Sequence, residues 1–343
     1  MGSHWSSLAY VSGKPNVHGI ARQRAEDFVV EEQLGFEPQG EGQHAWLWIE
    51  KRERNTQDIA YDLARFADIK SQAVGFSGLK DRHAVTRQWF SLDLAGQPEP
   101  DWQQLNDSNL VILQATRHGR KLRRGTHKAN RFTITLRQLQ GDITSLDERL
   151  KNIRQTGVPN YFGEQRFGHD EANLEWAQRM FAGERIKNRN KRSLYLSAAR
   201  SFLFNQLLSR RVEEGSWNRA QEGDVMQLAG SHSIFIPEAV DDTLKQRIIE
   251  MDIHPTGPLW GRGELKSGGQ VRVIEQQLAE AYPDYCRGLE QAGLKQERRN
   301  LRLAVQELNW SFEDDRLTLD FVLETGAFAT SVLRECLVLD TSN

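Results

Sequence analysis

One carboxylate stands among fixed cations in GFSGLKDRHAVTRQWF (Gly75 to Phe90): Asp81 lies between Lys80 and Arg82, with His83 next and Arg87 close behind. An aspartate of ordinary pKa, about 3.9, is already ionised at neutral pH. To act as a nucleophile it needs placement, and a cation that keeps it charged once water is removed, more than it needs an activating base. The same side chain can also serve as a general base, a metal ligand or a salt-bridged surface group. The metal role is the weaker one, because no second carboxylate accompanies it in the motif. AVGF (Ala73 to Phe76) reads as a short buried strand, which predicts that Asp81 follows a strand end.

Other residues carry possible recognition chemistry. Phe28 sits among acids in EDFVVEE, Phe132 in KANRFTITL and Phe328 in GAFATSVLRE. Each ring can pack in a core or offer a stacking platform for a base. Asn130, two residues before Phe132, has an amide that can both donate to and accept from a base edge. GxxxxGK[ST], GxGxxG after a strand, HExxH and GxSxG are all missing, which sets aside several phosphate-binding, metalloprotease and hydrolase chemistries. GRGELKSGGQ can cradle a phosphate through backbone amides but reads better as a flexible surface loop. Cys286 and Cys336 are the only cysteines and lie in no zinc-like spacing, which predicts a reducing cytoplasm and no disulfide framework.

The net charge of −2 hides a segregated distribution. RHGRKLRRGTHKANR (Arg117 to Arg131) and RIKNRNKRSLYLSAAR (Arg185 to Arg200) are basic without an acid, while acids cluster elsewhere, as in FEDDRL. Such blocks are either solvated loops or the footprint of a phosphate backbone. No run reaches the roughly 18 apolar residues of a membrane span, and the N-terminus lacks the apolar block of a secretory signal. With 343 residues, of which 38% are hydrophobic and nine are tryptophan, the chain suits two ordinary domains.

The elements that must hold these residues alternate in the first half. DFVVEE, HAWLWIEK, RQWFSLDL, NLVILQAT and RFTITLRQL have strand patterns. Helical spacing runs through NTQDIAYDLARFADIK, capped at Asn55 or Thr56, and through DITSLDERLKNIRQTG, stopped at Gly157. GVPNYFGEQRFG then reads as a turn-rich linker into a long helix, SLYLSAARSFLFNQLLSRRVEEG, with Leu196, Ala199, Phe202, Leu203 and Leu207 on one side. A hairpin-like segment at Val225 to Ile236 and further helices follow, before strand patterns return at LRLAVQEL and RLTLDFVL. Sheet, helical insert and sheet again predict a second domain inserted into the first.

Five motifs in order carry a resemblance to TruD-type tRNA pseudouridine synthases over nearly the whole chain. EDFVVEE resembles the family's EDFxVxE and GLKDRHAVTRQ its GxKDxxAxTxQ. KANRF is similar to GNxF, with Ala129 in place of glycine. GVPNYFGEQRFG is similar to the family's linker motif and GAFATSVLRE to its G[SA]FATxxxRE. The resemblance implies an α+β fold: a pseudouridine-synthase catalytic domain (1–155 and 303–343) with a mixed antiparallel sheet and flanking helices, interrupted by an inserted α+β TruD domain (156–302). It implies isomerisation of uridine 13 in the D-arm of tRNA, which requires base flipping, without cofactor or metal; the cysteine usage fits a cytoplasmic protein, and the lack of an obvious self-association seam fits a monomer. Carried onto these positions, the resemblance makes Asp81 the nucleophile, Phe28, Asn130 and Phe328 substrate contacts, Phe132 the ring that packs on the target base, and Arg22 the partner of the aspartate. The basic block of the insert is then expected to form one wall of an RNA cleft. Two other readings use the same residues: an inert RNA-binding module, and a metal-dependent nuclease built on Asp81, His83 and a remote carboxylate.

Overall fold

The structure is a computed structural model that describes residues 4–94 and 96–340; the first three residues of the Met-Gly-Ser-His start lie outside the described residues. The chain forms two compact units. One comprises residues 16–143, 305–327 and 337 onward, and the other 1–15, 144–304 and 328–336.

The first unit is built on a mixed sheet, ten-stranded among the described residues. Seven of its strands come from the first half of the chain: β1 (His18–Ala21), β2 (Phe28–Gln33), β3 (His44–Arg52), β4 (Val74–Phe76), β5 (Val85–Asp93), β6 (Leu110–His118) and β7 (Ala129–Gln140). Strands Gln306–Glu313 and Arg316–Glu324 extend it beside β7, in the order Gln306–Glu313, Arg316–Glu324, β7, β2, β5, β3, β6. All neighbours on this path are antiparallel except β2 and β5, which run parallel. Antiparallel β4 lies on β5, and β1 joins β7 to the parallel strand Val338–Asp340.

Period-two alternation sorts the sheet's two faces. Ala45, Leu47 and Ile49 of β3 join Phe90 and Leu92 of β5 in a core closed by Ile59 and Leu63 of the helix Thr56–Phe66. On the opposite face Trp46 and Trp89 pack with Leu34 and Leu122. Full burial of such side chains contributes roughly 1.5–3 kcal/mol each, so this helix-on-sheet layer is the platform of the unit. Gly75 makes its narrowest approach, for a Cβ there would meet the Leu122 carbonyl oxygen at 2.3 Å.

The second unit gathers helices Ile143–Thr156 (from Thr144 on), Ala172–Phe181, Arg189–Glu213, Gly269–Ala281 and Pro283–Gln291 with a small sheet of strands Met226–Leu228, Ile234–Phe235, Ile253–Leu259 and Glu297–Asn300. Gly157, at φ +73°, ends the first of these helices. The long helix buries Tyr195, Ala199, Leu203 and Leu207. Leu196 and Phe202, expected on the same stripe, are only half-buried, because the buried face is centred one residue away. No described helix is long and apolar enough to cross a membrane.

Two readings of loops change. GVPNYFGEQRFG is no exposed linker: residues 157 to 163 are all buried, and Val158–Pro159 pairs with Arg302–Leu303. Apolar Tyr161, Phe162 and Phe167 draw the segment into the core of the unit. GRGELKSGGQ is pinned too, by Arg262 N–H on the Leu294 carbonyl (2.6 Å) and by Ser267 Oγ on the buried Glu275 (2.6 Å).

Candidate active site

The loop between β4 and β5 carries Asp81, and the sheet and the helix Thr56–Phe66 hold that loop at three points. Gln88 of β5 donates from Nε2 to the Gly78 carbonyl at 3.1 Å. The Lys80 amide donates to Thr56 Oγ1 at 3.0 Å. Lys51 of β3 donates from Nζ to the Asp81 carbonyl at 2.8 Å. Lys51 is fully buried on the same strand face as Ala45, Leu47 and Ile49. An ammonium placed there requires acceptors, and the Asp81 backbone supplies one. Burial lowers its pKa to about 8, with the Asp81 charge pulling the other way.

The Asp81 carboxylate faces Arg22, whose Nη2 lies 2.7 Å from Oδ2. Arg22 follows β1 in a left-handed conformation (φ 60°), a strained state for a non-glycine residue that costs of order 1 kcal/mol or more. Its guanidinium also lies over the Phe28 ring, 3.9 Å from the centroid. Phe28 meets Phe132 edge-to-face at 6.2 Å, and Phe132 stacks on Phe321 of the neighbouring strand at 5.4 Å. The register of β2 and β7 explains this: Phe28, Val30 and Glu32 share one sheet face with Asn130, Phe132 and Ile134. Phe28, Phe132 and Asn130 are buried, whereas the Asp81 side chain is 46% exposed, so the carboxylate is within reach of a large ligand.

Behind Asp81 runs a buried polar network. Lys80 Nζ is 3.4 Å from Glu32 Oε2 and donates to Asn130 Oδ1. The Asn130 amide nitrogen therefore faces His127 Nε2, at 3.3 Å, and His127 Nδ1 lies 2.5 Å from Ser77 Oγ. This pattern assigns Nε2 as the acceptor and Nδ1 as the protonated nitrogen. Burial, reinforced by the Lys80 charge, lowers His127 to about 4 and keeps the ring neutral. Desolvation also raises Glu32 and lowers Lys80, each opposed by the charge of the other. The arrangement thus offers an exposed carboxylate with a fixed counter-cation, an aromatic surface beneath it, and an amide whose orientation is locked. Among the described residues no group of three or more His, Cys, Asp or Glu side chains gathers as a metal-holding set.

Five of the six candidate residues, Arg22, Phe28, Asp81, Asn130 and Phe132, therefore meet in one unit. Phe328 belongs to the other, where it lies near Phe162 (6.4 Å between ring centroids) and Arg166 (5.9 Å from Cζ to the Phe328 centroid). Sequence reasoning missed Lys51, Glu32, Thr56, Gln88 and His127. One signal was present: Lys51 and Glu32 stand in the period-two phase of the apolar residues on their strands, where a charge requires a partner.

The basic blocks divide. Arg117 is neutralised by Glu99 (2.6 Å) and Arg131 by Asp320 and Glu307, whereas Arg120, Arg123, Arg124 and Lys128 are exposed with no carboxylate partner among the described residues. In the other unit Arg200 is tied to Glu297 (3.0 Å) and the Leu259 and Trp260 carbonyls, while Arg189, Lys191 and Arg192 stand exposed on the first turn of the long helix.

The family model for tRNA pseudouridine synthase D (TruD) matches residues 6–184 and 177–336. A tRNA pseudouridine synthase D of Aeromonas hydrophila is 50% identical over 96% of this chain and 93% of its own. Another, of Methylococcus capsulatus, is 47% identical over 98% and 96%. A crystal structure from Methanosarcina mazei, assigned to tRNA pseudouridine synthase D, superposes with a TM-score of 0.73 at 20% identity over 96% of this chain and 95% of that one, a likeness of fold. With an exposed aspartate anchored to Arg22 in the expected motif, and a family match over nearly its full length, this chain belongs to the TruD family of tRNA pseudouridine synthases.

Proposed function

We propose that this protein is an isomerase that converts uridine 13 in the D-arm of tRNA to pseudouridine, with Asp81 as the nucleophile. The observation that carries this reading is the pairing of Asp81 with Arg22 above Phe28 and Phe132. A uridine stacked in a folded arm is out of reach, so it is flipped out at a cost of about a few kcal/mol. Cationic contacts to the phosphates and stacking on aromatic rings offset that cost. In the reaction the bond from C1′ to N1 breaks, the uracil turns, and a bond from C5 to C1′ forms. C5 loses its hydrogen as N1 gains one, so the product has the composition of the substrate. Asp81 acts on the nucleotide as a charged group; Arg22 holds its carboxylate and Lys51 its backbone.

Asn130, with its carbonyl oxygen committed to Lys80, presents an amide N–H toward the base, and Phe132 packs against the flipped ring. Phe328 contacts substrate from its own unit. We assign 1–155 and 303–343 to the catalytic domain and 156–302 to the insertion. The protein works as a cytoplasmic monomer, and the chemistry requires no cofactor or metal.

The decisive experiment maps pseudouridine in a tRNA transcript after treatment with wild type and Asp81→Asn, in excess chelator. The expected result is conversion at one D-arm uridine by wild type, no conversion by the variant, and equal tRNA affinity. Normal turnover by Asp81→Asn would overturn the assignment, and chelator-sensitive strand cleavage would replace it with a nuclease.

A further inference from the structure

Three buried arginines of the unit holding residues 144–304 and 328–336 pair with an acid. Arg211 pairs with Asp224 at 2.9 Å, Arg298 with Glu275 at 2.9 Å and Arg334 with Glu335 at 3.1 Å. Arg302 has none among the described residues but donates to His254 Nδ1 and to the Ile248 and Ile253 carbonyls.

Arg166 and Arg299 differ. Both guanidiniums sit over the Phe162 ring, with Cζ 5.4 and 4.1 Å from its centroid, and neither has a carboxylate partner among the described residues. Arg166 donates to Ser197 Oγ at 3.0 Å, and Arg299 to Asn160 Oδ1 at 2.6 Å. Those neutral acceptors leave two like charges on one ring uncompensated. Arg299 Nε is also sealed from solvent with no acceptor among the described residues. Burial pushes both guanidiniums below their ordinary range, Arg299 to about 9, and the charge of Arg166 adds to the latter shift. Holding two desolvated cations together without an anion opposes folding, so the arrangement calls for an external anion. Both residues remain partly accessible, which leaves an approach for one. The planar fork of arginine matches the paired oxygens of a phosphate, and the shared Phe162 ring brings the two guanidiniums to one place.

We propose that Arg166 and Arg299, set on Phe162, form a binding site for a backbone phosphodiester of the tRNA. This deepens the reading above and rests on it. Phe328, 5.9 Å from Arg166 Cζ, then touches the nucleotide next to that phosphate.

The test measures binding of a tRNA transcript to wild type, Arg166→Met and Arg299→Met across a salt series, with thermal melting in parallel. Each variant is expected to weaken binding about tenfold and to lower the slope of log affinity against log salt by about 0.7–0.9 for each phosphate that is no longer neutralised. Melting of the free variants is expected to stay level or rise, since a cation without an anion has been removed. Arg166→Lys should recover part of the slope. Slopes equal to wild type in folded variants overturn the site. Should Arg299→Met fail to fold, Arg166→Met, on the more accessible side chain, decides by the same criterion. A second arm adds inorganic phosphate. A melting shift in wild type that is absent in Arg166→Met, together with unchanged tRNA slopes, would make this a free-anion site and overturn the RNA assignment. Conversion is scored separately: a wild type that makes no pseudouridine sinks the functional reading, whereas normal conversion with unchanged slopes sinks only this site.

Discussion

Arg22 Nη2 lies 2.7 Å from Asp81 Oδ2 although 59 positions separate the two residues, while Lys80, the immediate neighbour of Asp81, turns its ammonium to Glu32 at 3.4 Å. The two neighbours in the loop thus take opposite partners: the Lys80 ammonium is buried against Glu32, and a remote cation reaches the more exposed Asp81 carboxylate.

Replacing Arg22 with Gln should therefore affect turnover far more than stability. The pair is partly exposed on both sides, which limits its contribution to folding to about 0–1 kcal/mol. Loss of one charge-assisted bond that orients the reacting group should reduce kcat/KM about 10- to 100-fold. Single-turnover conversion of tRNA alongside a thermal melt checks both. Unchanged turnover would remove Arg22 from the site.

Lys80→Met should have the opposite balance. It strands Glu32 in a buried position, and breaking a buried pair by removing one partner costs about 3–5 kcal/mol. Urea unfolding of Lys80→Met, Glu32→Gln and the double variant forms a cycle. The double variant is expected to lose clearly less than the sum of the singles; simple additivity would mean that the two residues do not interact.

His127 should make stability fall in mild acid. Its folded pKa is about 4 against 6.5 when unfolded. Between those values the unfolded chain binds a proton that the folded chain refuses. The contribution is thus complete above pH 6.5 and is lost as pH drops toward 4, by about 3 kcal/mol at most. Lys80, Glu32, Asn130 and Ser77 face the ring, and Glu32, whose pKa is raised, acts in the opposite direction. The difference between wild type and His127→Gln isolates the histidine; a difference that stays constant from pH 7 to 4.5 would refute its role.

Arg189, Lys191 and Arg192 crowd the first turn of the helix Arg189–Glu213, which has no acid there. Cations at a helix N-terminus oppose the helix dipole by about 0.3–1 kcal/mol each, so their presence is unfavourable to folding. Changing all three to Gln should raise helix stability slightly and reduce the salt slope of tRNA binding by about 2–3. An unchanged slope would return this turn to an ordinary solvated surface.

Much of the unit that holds Asp81 was legible because its signals are local. The alternation in HAWLWIEK and the spacing of Ile59 and Leu63 specify a strand and a helix face through periods that any window of residues displays. The long helix was legible from Ser193 on, but not its first turn, residues 189–192; Ala199, Leu203 and Leu207 are buried as expected, while Leu196 and Phe202 pack half-buried against the same core. The burial of GVPNYFGEQRFG was hidden behind its turn residues, because its strand pairing with Arg302–Leu303 depends on chain about 140 residues away.

By itself the sequence determined the elements, the ordered motifs and the presence of one aspartate in a family-specific setting. The resemblance already paired Arg22 with Asp81; tertiary structure decided the other charge contacts. Arg22 does reach Asp81, Lys51 anchors its backbone, Lys80 turns to Glu32 and Asn130, and Arg166 and Arg299 have no acid partner among the described residues. Secondary structure follows from periodicity along the chain. An ion pair depends on a few ångströms and on exclusion of water, and both are set by how distant segments pack.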